Sequence, residues 1–365
     1  MTNPLKTAVI VLAAFAGVLA ATAPAMAAPA GSGWHIVQTI DVPHSSLNDV
    51  VAFSNGTAWA GGQSPSHEPL LYQLTGTGWH STTLSGSKGS YVSELSATSP
   101  TNVWAALGGS PKVAALTPKG WATATFSSSV DTIVINGIVT TGPSNTWAFA
   151  FDSTVGLAYA LHFNGKSWNA MALPDEVAAK GVTGLVSASS PTNIWAIAHI
   201  SSGLGALHYN GKHWQLVRIP KDLLPVGHPT FTEQILAQSP GTAWVTISSY
   251  LLRDHKKIYG PIVLLHYNGK TWVKTSGKLP SGSLTGPIAS DGHGGLWLAG
   301  ESPAAAPILL HYAAGRWTTS KAPASTRGAL EISAIALIPG SRSLLGVADL
   351  GPGSDNGAAI LRYRP

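Results

Sequence analysis

Short apolar stretches alternate with clusters of Gly, Pro, Ser, Thr and Asn along most of the chain. Within the stretches, Trp and β-branched residues recur in a pattern typical of β-strands. The clusters contain Ser-Pro and Asn-Gly dipeptides, which favour tight turns. The pattern therefore predicts many short strands joined by turns, with little helix.

One sequence element recurs: a polar turn, a Trp, then small apolar residues, as in "TSPTNVWAALG" (98–108) and "SSPTNIWAIA" (189–198). The Trp residues of this element are Trp59, Trp104, Trp147, Trp195, Trp244 and Trp297. They are 43 to 53 residues apart, and a seventh copy places Leu345 in the Trp position. A period of about 40–50 residues with four strands per repeat indicates the blades of a β-propeller.

Residues 231–277 show how one repeat divides into four strands. The strands are "TEQILAQ", "AWVTISS", "IVLLHY" and "TWVKTSG". The turn "SPGT" joins the first pair, and "NGK" joins the last pair. Asn-Gly is the strongest hairpin dipeptide, because both central residues of that turn need positive φ.

The two ends of the pattern are each incomplete. The final "AILRYRP" (359–365) is a third strand without a fourth, and "GSGWHIVQTIDVP" (31–43) is a fourth strand without the preceding three. Pairing them would cover two open sheet edges, which otherwise invite aggregation. We predict an all-β, seven-bladed propeller of four-stranded blades in one domain, 28–365. The N-terminal strand, about 33–43, completes the last blade with the C-terminal strand, about 358–364.

The first 27 residues are expected to be a signal peptide. Lys6 precedes an apolar run, and Ala25-Met26-Ala27 fits the small-x-small cleavage rule. The alternative is a membrane anchor, which the Ala- and Gly-rich composition of the run disfavours. We therefore expect a secreted bacterial protein, extracellular or associated with the cell wall, without membrane insertion after cleavage.

Composition excludes several chemistries. The chain has no Cys, so thiol catalysis and Cys-ligated metals are excluded, and no cofactor is expected. Charged residues are 10% of the chain, and the net charge is +5. No stretch concentrates Lys and Arg apart from 253–257, so a nucleic-acid partner is not expected. We expect a monomer.

The repeated aromatic residues allow two interpretations. Trp side chains in the second and fourth strands could pack one blade against the next, with each indole N–H reaching an acceptor, or could form sugar-stacking platforms. His162, His208, His266 and His311 share one position on the third strand. Residues there on different blades are too far apart to share a metal ion, so we expect a structural or surface role and no metal site.

A ligand-binding site is predicted where the blades differ. In the fifth repeat, the connection between the second and third strands (250–260) is the longest and most charged, and 219–231 lies at the same end of that blade. Loops on a rigid scaffold often carry function. The candidate ligand-binding residues are Arg253, Asp254, His255, Lys256, Tyr259 and His228. The alternative is a solvated loop.

Carboxylates on the first strands are weak candidates for catalysis. Asp49 and Glu94 occupy matching positions, and Glu233 and Glu331 lie close to that register. Carboxylates facing a central channel could act as an acid/base pair or bind a cation. A solvent-lined channel also tolerates them without any catalytic role.

The repeats "SPTNVWAALG" and "ALHYNGKHW" resemble those of exported bacterial propellers grouped with the Asp-box (BNR) and kelch-like superfamily. The resemblance spans 31–365 and implies a propeller architecture. "HYNGKTW" (266–272) keeps the Gly, Thr and Trp of an Asp-box hairpin but lacks its Asp. Sialidases of that superfamily use an arginine triad, and most arginines of this chain lie on outer strands or at the terminus, so sialidase activity is not carried over. The Cys–Tyr crosslink of galactose oxidase cannot form without Cys.

The sequence as a whole favours a secreted, non-catalytic binding or scaffold propeller that recognises glycans or extracellular protein partners. The alternative is a carbohydrate-active hydrolase or lyase that uses the channel-facing carboxylates.

Overall fold

The computed structural model describes residues 32–84, 87–126, 133–226, 230–239, 241–253, 256–259, 262–275, 288–301, 306–351 and 354–365. The predicted signal peptide lies outside these residues. The described chain is built of β-strands, with one short helix, α1 (Asp175–Ala178), and one 3₁₀ turn (Lys221–Leu223). No helix in this part of the chain is long and apolar enough to cross a membrane.

The strands, in chain order, are β1 (Gly33–Ile40), β2 (Ser46–Ala52), β3 (Ala58–Gln63), β4 (Pro69–Thr75), β5 (Gly78–Thr83), β6 (Tyr91–Ser99), β7 (Asn102–Gly108), β8 (Lys112–Thr117), β9 (Gly120–Thr125), β10 (Ile133–Gly142), β11 (Asn145–Asp152), β12 (Leu157–Phe163), β13 (Trp168–Met171), β14 (Val182–Ser190), β15 (Asn193–Ile200), β16 (Gly203–Tyr209), β17 (Trp214–Arg218), β18 (Thr230–Ser239), β19 (Thr242–Arg253), β20 (Lys256–Tyr259), β21 (Val263–Tyr267), β22 (Trp272–Lys274), β23 (Ile288–Ser290), β24 (Leu296–Glu301), β25 (Pro307–Ala313), β26 (Arg316–Lys321), β27 (Leu330–Leu337), β28 (Leu344–Leu350) and β29 (Ala358–Arg364).

These strands form seven antiparallel sheets, which confirms the predicted propeller. Blades 1 to 4 are β2–β5, β6–β9, β10–β13 and β14–β17, each with its strands in chain order. Blade 5 is β18-β19-β21-β22 with β20 paired to β19, and blade 6 is β23–β26. Blade 7 has the order β27-β28-β29-β1 and so joins the two ends of the described chain.

The first strands of neighbouring blades form the inner wall of the ring. The first strand of each blade contacts the first strand of the next blade, in the order β2, β6, β10, β14, β18, β23 and β27, and β27 contacts β2. Since strands alternate in direction, all first–second and third–fourth turns lie at one end of the blades, which we name the turn face. The other end, the loop face, carries the second–third connections and the connections between blades.

Asn-Gly turns shape the third–fourth hairpins of blades 3 to 5. Gly165, Gly211 and Gly269 each have φ close to +90°, a left-handed conformation that glycine adopts without a steric penalty. The side chain of the preceding Asn accepts the backbone N–H of the residue after the glycine, at 3.0 Å in each of the three turns. The repeated dipeptide therefore fixes a tight turn at the same place on successive blades.

The apolar core is divided into layers between neighbouring blades. Five of the seven layers centre on a Trp from the second strand of one blade and a Trp from the fourth strand of the next, packed edge to face, and between blades 5 and 6 Trp244 packs on Tyr312 instead. The pairs are Trp59–Trp121, Trp104–Trp168, Trp147–Trp214, Trp195–Trp272 and Trp297–Trp34, with ring centroids 5.2–6.1 Å apart and interplanar angles of 77–89°. Between blades 7 and 1, Leu345 takes the first position and packs in one cluster with Trp79.

The predicted ring closure is confirmed in register. β1 pairs with β29 from Gly33 opposite Arg364 to Ile40 opposite Ala358. The strand ends at Ile40, slightly before the expected end near residue 43. Trp34 packs against Tyr363 of its own blade at 5.4 Å and against Trp297 of blade 6. The closing strand thus supplies the same interblade contact that other blades take from their own fourth strand.

Deleting Gly33–Ile40 is expected to expose the edge of β29 and remove the Trp34 contacts. Loss of a buried Trp alone costs about 3–5 kcal/mol. We expect the melting temperature to fall by on the order of 10 °C and soluble aggregates to appear on gel filtration. A synthetic peptide of residues 32–41, added in trans, should restore part of the loss. An unchanged melting temperature would contradict the assigned closure.

Candidate functional site

The four histidines on the third strands belong to a repeated structural unit. Each imidazole stacks on the second-strand Trp of its own blade, with centroids 4.2–4.4 Å apart in all four cases. In blade 4, Asn193 Oδ1 accepts hydrogen bonds from Trp195 Nε1 (2.9 Å) and from His208 Nε2 (2.9 Å). Because a carbonyl oxygen only accepts, the Nε2 atom of His208 carries the hydrogen.

Blade 3 repeats this unit, and blade 6 varies it. Asn145 Oδ1 accepts from Trp147 (3.0 Å) and His162 (2.7 Å). In blade 6, Asp291 replaces the Asn and bonds His311 at 2.9 Å.

Burial lowers the pKa of His162, as it does for His208 and His266. Although burial raises the pKa of Asp291, hydrogen bonds from His311 and two backbone amides outweigh it and hold the pKa below its usual range.

These contacts assign the repeated aromatic and His residues to packing. The second-strand Trp side chains are buried, so their faces are closed to a sugar. Within the described residues, no group of three or more His, Asp or Glu side chains is arranged to hold a metal. The expectation that every indole N–H finds an acceptor is wrong for four described fourth-strand residues: Trp34, Trp121, Trp214 and Trp272. Each of these four residues packs edge to face with the second-strand Trp of the preceding blade.

The channel carboxylate Asp49 joins two blades. A β-bulge at Asn48 interrupts the pairing of β2 with β3, directly before Asp49. The Asp49 carboxylate accepts the backbone N–H of Leu95 in blade 2 at 2.6 Å and that of Val50 at 2.8 Å. The bulged Asn48 donates its side-chain amide to the carbonyl of Val92, also in blade 2, at 2.8 Å. The bulge thus directs two successive side chains onto the next blade.

Two further carboxylates form similar links. Glu94 follows the equivalent bulge in β6 and accepts the N–H of Ile138 in blade 3 at 2.7 Å. Asp349, on the second strand of blade 7, accepts the N–H of Leu47 in blade 1 at 3.3 Å. Sequence comparison of the first strands could not find Asp349, because it lies on a second strand.

Burial controls the protonation of these three side chains. Burial raises the pKa of Asp49 to about 7, against the hydrogen bonds from Leu95 and Val50. Burial and the nearby Asp49 raise the pKa of Glu94 well above its usual value. Burial, with a contribution from Glu331, raises the pKa of Asp349 to about 6. Such values suit proton transfer, but each carboxylate is already engaged in a link between blades, which gives it a structural role.

The other two carboxylate candidates are not part of these links. Glu331 is exposed at the start of β27. Glu233 is placed on β18, where its backbone pairs with Ile247, and its side chain lies outside the described part of the chain. The structure therefore brings Asp49 and Glu94 near each other and does not assemble all four predicted carboxylates into one site.

The predicted ligand-binding loop of blade 5 is a hairpin rather than a loop. β19 continues past the end of neighbouring second strands to Arg253, and β20 returns antiparallel to it. Leu251 pairs with Ile258, and Arg253 pairs with Lys256. The sequence pattern missed this extra strand because "RDHKK" is charged and carries no turn dipeptide. Arg253 is exposed.

The remaining predicted ligand-binding residues are only partly described. Asp254, His255 and His228 lie outside the described residues. Lys256 and Tyr259 are placed on β20, but their side chains are outside the described part. Among the predicted ligand-binding residues, Arg253, Lys256 and Tyr259 are therefore placed on the hairpin strands at the loop-face end of blade 5.

Exposed apolar side chains are concentrated on the loop face. The described large apolar residues with the greatest exposure are Val42, Tyr91, Val155, Leu157, Val226, Leu252, Ile258 and Val273. Seven of them lie in loop-face connections or at the strand ends that adjoin them, and Val273 on β22 is the exception. The two most exposed are Val226 (86%) and Leu252 (67%), both at the blade 5 end of that face.

The fold resembles solved propellers of several kinds. One is virginiamycin B lyase from Staphylococcus aureus, 13% identical over 91% of this chain and all of that one, with a TM-score of 0.59. Another is YCF48 from Cyanidioschyzon merolae, 15% identical over 92% of this chain and 99% of that one, with a TM-score of 0.60. YCF48 bound to D1 peptide is 16% identical over 94% of this chain and all of that one, with a TM-score of 0.58.

At these identities the likeness extends to the fold alone. No family model matches the sequence, and no curated protein matches it.

Substituting Asn193 with Ala is expected to leave Trp195 Nε1 and His208 Nε2 without an acceptor. Each unsatisfied buried donor costs about 1–3 kcal/mol, so for the two donors we expect a loss of about 2–6 kcal/mol in the free energy of unfolding, measured with urea. The control is Asn210→Ala in an exposed turn, which should cost less. Equal losses for the two variants would contradict the role of the Trp–His–Asn unit.

Asp49→Asn should change how stability depends on pH. A carboxyl group with a raised folded-state pKa stabilises the fold fully below its unfolded pKa, and that contribution is lost as pH rises through the folded value. For Asp49 the window runs from about 4 to about 7. We therefore expect the melting temperature of the variant minus that of the unsubstituted protein to increase by roughly 2–4 °C as pH rises through this window.

Comparing the melting temperatures of the variant and the unsubstituted protein at each pH separates the effect of Asp49 from that of the histidines, which both proteins contain. Burial of these histidines acts in the opposite direction, because a lowered His pKa destabilises the fold as pH falls. A constant difference between the two proteins across the window would show that Asp49 does not titrate there.

Proposed function

We propose that the protein is a secreted, monomeric, non-catalytic binding propeller that captures an extracellular protein partner through its loop face at blade 5. The observation that carries the proposal is the position of Val226 and Leu252, the two most exposed large apolar side chains in the described chain. Single exposed apolar residues are common on protein surfaces, but several together mark interaction sites. Here Leu252 lies on the hairpin of β19 and β20, and Val226 lies in the connection that leads to β18 of the same blade.

The chemistry of this region suits a protein surface. Leu252 and Ile258 are exposed on the hairpin, with Arg253 beside them and Lys256 and Lys257 on the returning strand. Aliphatic side chains with basic neighbours favour a partner that presents apolar and acidic groups. Binding of a D1 peptide by YCF48 supports the use of this fold for peptide capture.

The burial of the second-strand tryptophans favours a protein partner over a glycan. Sugar recognition needs an open aromatic face, and the second-strand Trp side chains are buried between blades. The carbohydrate-active alternative depends on the channel carboxylates, and Asp49 and Glu94 are engaged with backbone amides of the next blade. We also propose that the protein is exported and that it is related to the Asp-box or kelch-like propellers. Both parts of the proposal are supported by the sequence alone.

The double substitution Val226→Ser and Leu252→Ser is expected to weaken partner capture. The proteins would be immobilised and exposed to the secreted protein fraction of the producing cells, with retained proteins identified by mass spectrometry. Central apolar contacts in interfaces are each worth about 1–2 kcal/mol, so we expect affinity for the retained protein to fall at least ~10-fold.

Val273→Ser is the matched control, because Val273 is exposed (37%) in the same blade but on β22, away from the hairpin. It should retain the partner as the unsubstituted protein does. Equal retention by the double variant, or a glycan-array signal insensitive to it, would contradict a protein-binding site at this position.

A further inference from the structure

Basic and acidic residues are unequally divided between the two faces of the propeller. The chain has 21 Lys and Arg and 16 Asp and Glu. Among the described residues, Asp291 is the only acidic residue in a turn of the turn face, and it bonds His311. The other described acidic residues lie on the loop face or within the strands that line the channel. The turn face is therefore almost free of negative charge.

The same face carries a basic side chain on six successive blades. We name these residues the cationic ring: Lys119, Lys166, Lys212, Lys270 and Arg316 at the third–fourth turns of blades 2 to 6, and Arg342 at the first–second turn of blade 7. All six are exposed. The positive net charge of the chain is thus concentrated on one face, although no stretch of sequence shows it.

The turn geometry places these charges in equivalent positions. In blades 3 to 5 the Lys follows Asn-Gly, and its backbone N–H is held by the Asn side chain at 3.0 Å. Each of these lysines stands two residues before the buried fourth-strand Trp, as Lys119 does in "TPKGW". In blades 2 to 5 a structural element that repeats with the fold therefore places the Lys at the same point of the third–fourth turn.

The cationic ring is not neutralised within the protein. In the described part of the chain, none of its six members takes part in a salt bridge. On the loop face, by contrast, Arg218 pairs with Glu176 at 2.7 Å and Arg327 pairs with Asp41 at 2.9 Å. The turn-face charges are thus available to a partner.

The spacing of the charges indicates what kind of partner fits. Neighbouring sheets pack about 10 Å apart, and the third–fourth turns lie near the outer rim, so adjacent turns are at least about that distance apart. This exceeds the screening length of about 8 Å at physiological salt. A small anion would therefore meet one lysine at a time, whereas a partner with charges spread over a wide area would meet all six.

The turns lie at one end of a flat ring, so the partner's charges should lie in a plane. Among the described residues, Val273 is the only one of the most exposed large apolar side chains outside the loop face, so the described turn face offers little to insert into a hydrocarbon layer. A linear polyanion would have to bend at every blade to follow the circle, and this ordering costs affinity. A bilayer containing anionic lipids presents phosphate groups across a plane.

We infer that the turn face is a docking surface for an anionic lipid bilayer, which the cationic ring binds peripherally through lipid phosphates without insertion. Each Lys or Arg close to an anionic membrane surface contributes about a fivefold gain in affinity. Docking in this orientation would direct the loop face away from the membrane. This inference uses the opposite face from the protein-binding site and holds or fails independently of it.

The test is flotation of the mature protein with vesicles of phosphatidylcholine, with and without phosphatidylglycerol, at low and high salt. We expect binding only to the anionic vesicles and release at high salt. The triple variant Lys166→Gln, Lys212→Gln, Lys270→Gln should bind about 100-fold more weakly. The control Lys88→Gln, Lys180→Gln, Lys321→Gln removes the same charge from the exposed loop-face side and should bind as the unsubstituted protein does.

Three results would overturn the inference. The first is no binding to anionic vesicles. The second is equal weakening by both triple variants, which would mean that only net charge matters. The third is binding to soluble polyphosphate without binding to vesicles, which would identify a linear polymer as the partner. Because all six substituted side chains are exposed, unchanged melting temperatures should show that both variants fold.

Discussion

The contact on which this propeller depends is the edge-to-face packing of two tryptophans between neighbouring blades. A four-stranded sheet has two faces to cover, and in a ring only the adjacent blades can cover them. A Trp buries about 150–250 Å² and prefers this edge-to-face geometry with another aromatic ring. Five of the seven interblade layers have this contact, and each blade needs a neighbour on both sides, so the stack is stable only when it closes. Trp34 on β1 therefore matters as much as any residue of the blades that are continuous in sequence.

The same constraint explains why the repeated residues carry so little information about function. The second-strand Trp contacts the next blade, stacks on a His in blades 3 to 6, and donates to an Asn in blades 2 to 4. Each partner is thereby occupied: the His cannot reach a metal, and the indole face cannot reach a sugar. Function is left to positions that the repeat does not use, which are the loop connections and the outward tips of the turns.

The sequence predicts the architecture well because its signals are local. Asn-Gly at 164–165 specifies a hairpin whatever surrounds it, and a regular Trp spacing defines the blade. The pairing of β1 with β29 also follows, because each end of the repeat pattern lacks the strands that the other end has.

The interblade role of Asp49 could not be predicted, since it depends on a bulge that redirects the side chain toward Leu95. Asp349 could not be found because it lies on a second strand, away from the register that the first strands share. The cationic ring is likewise hidden, because lysines about 50 residues apart share a face only after the strands have alternated in direction.

The closing strand has a consequence for how the chain reaches its native state. Strands of blades 1 to 6 pair with neighbours that are close in sequence, and such local contacts form quickly. The seventh sheet must bring together the first and last strands of the described chain. The entropy lost in closing so long a loop is offset only when the contacts between β1 and β29 form. We expect the six continuous blades to assemble first into an open, curved intermediate. The arrival of β1 would then be the slow, rate-determining event of folding.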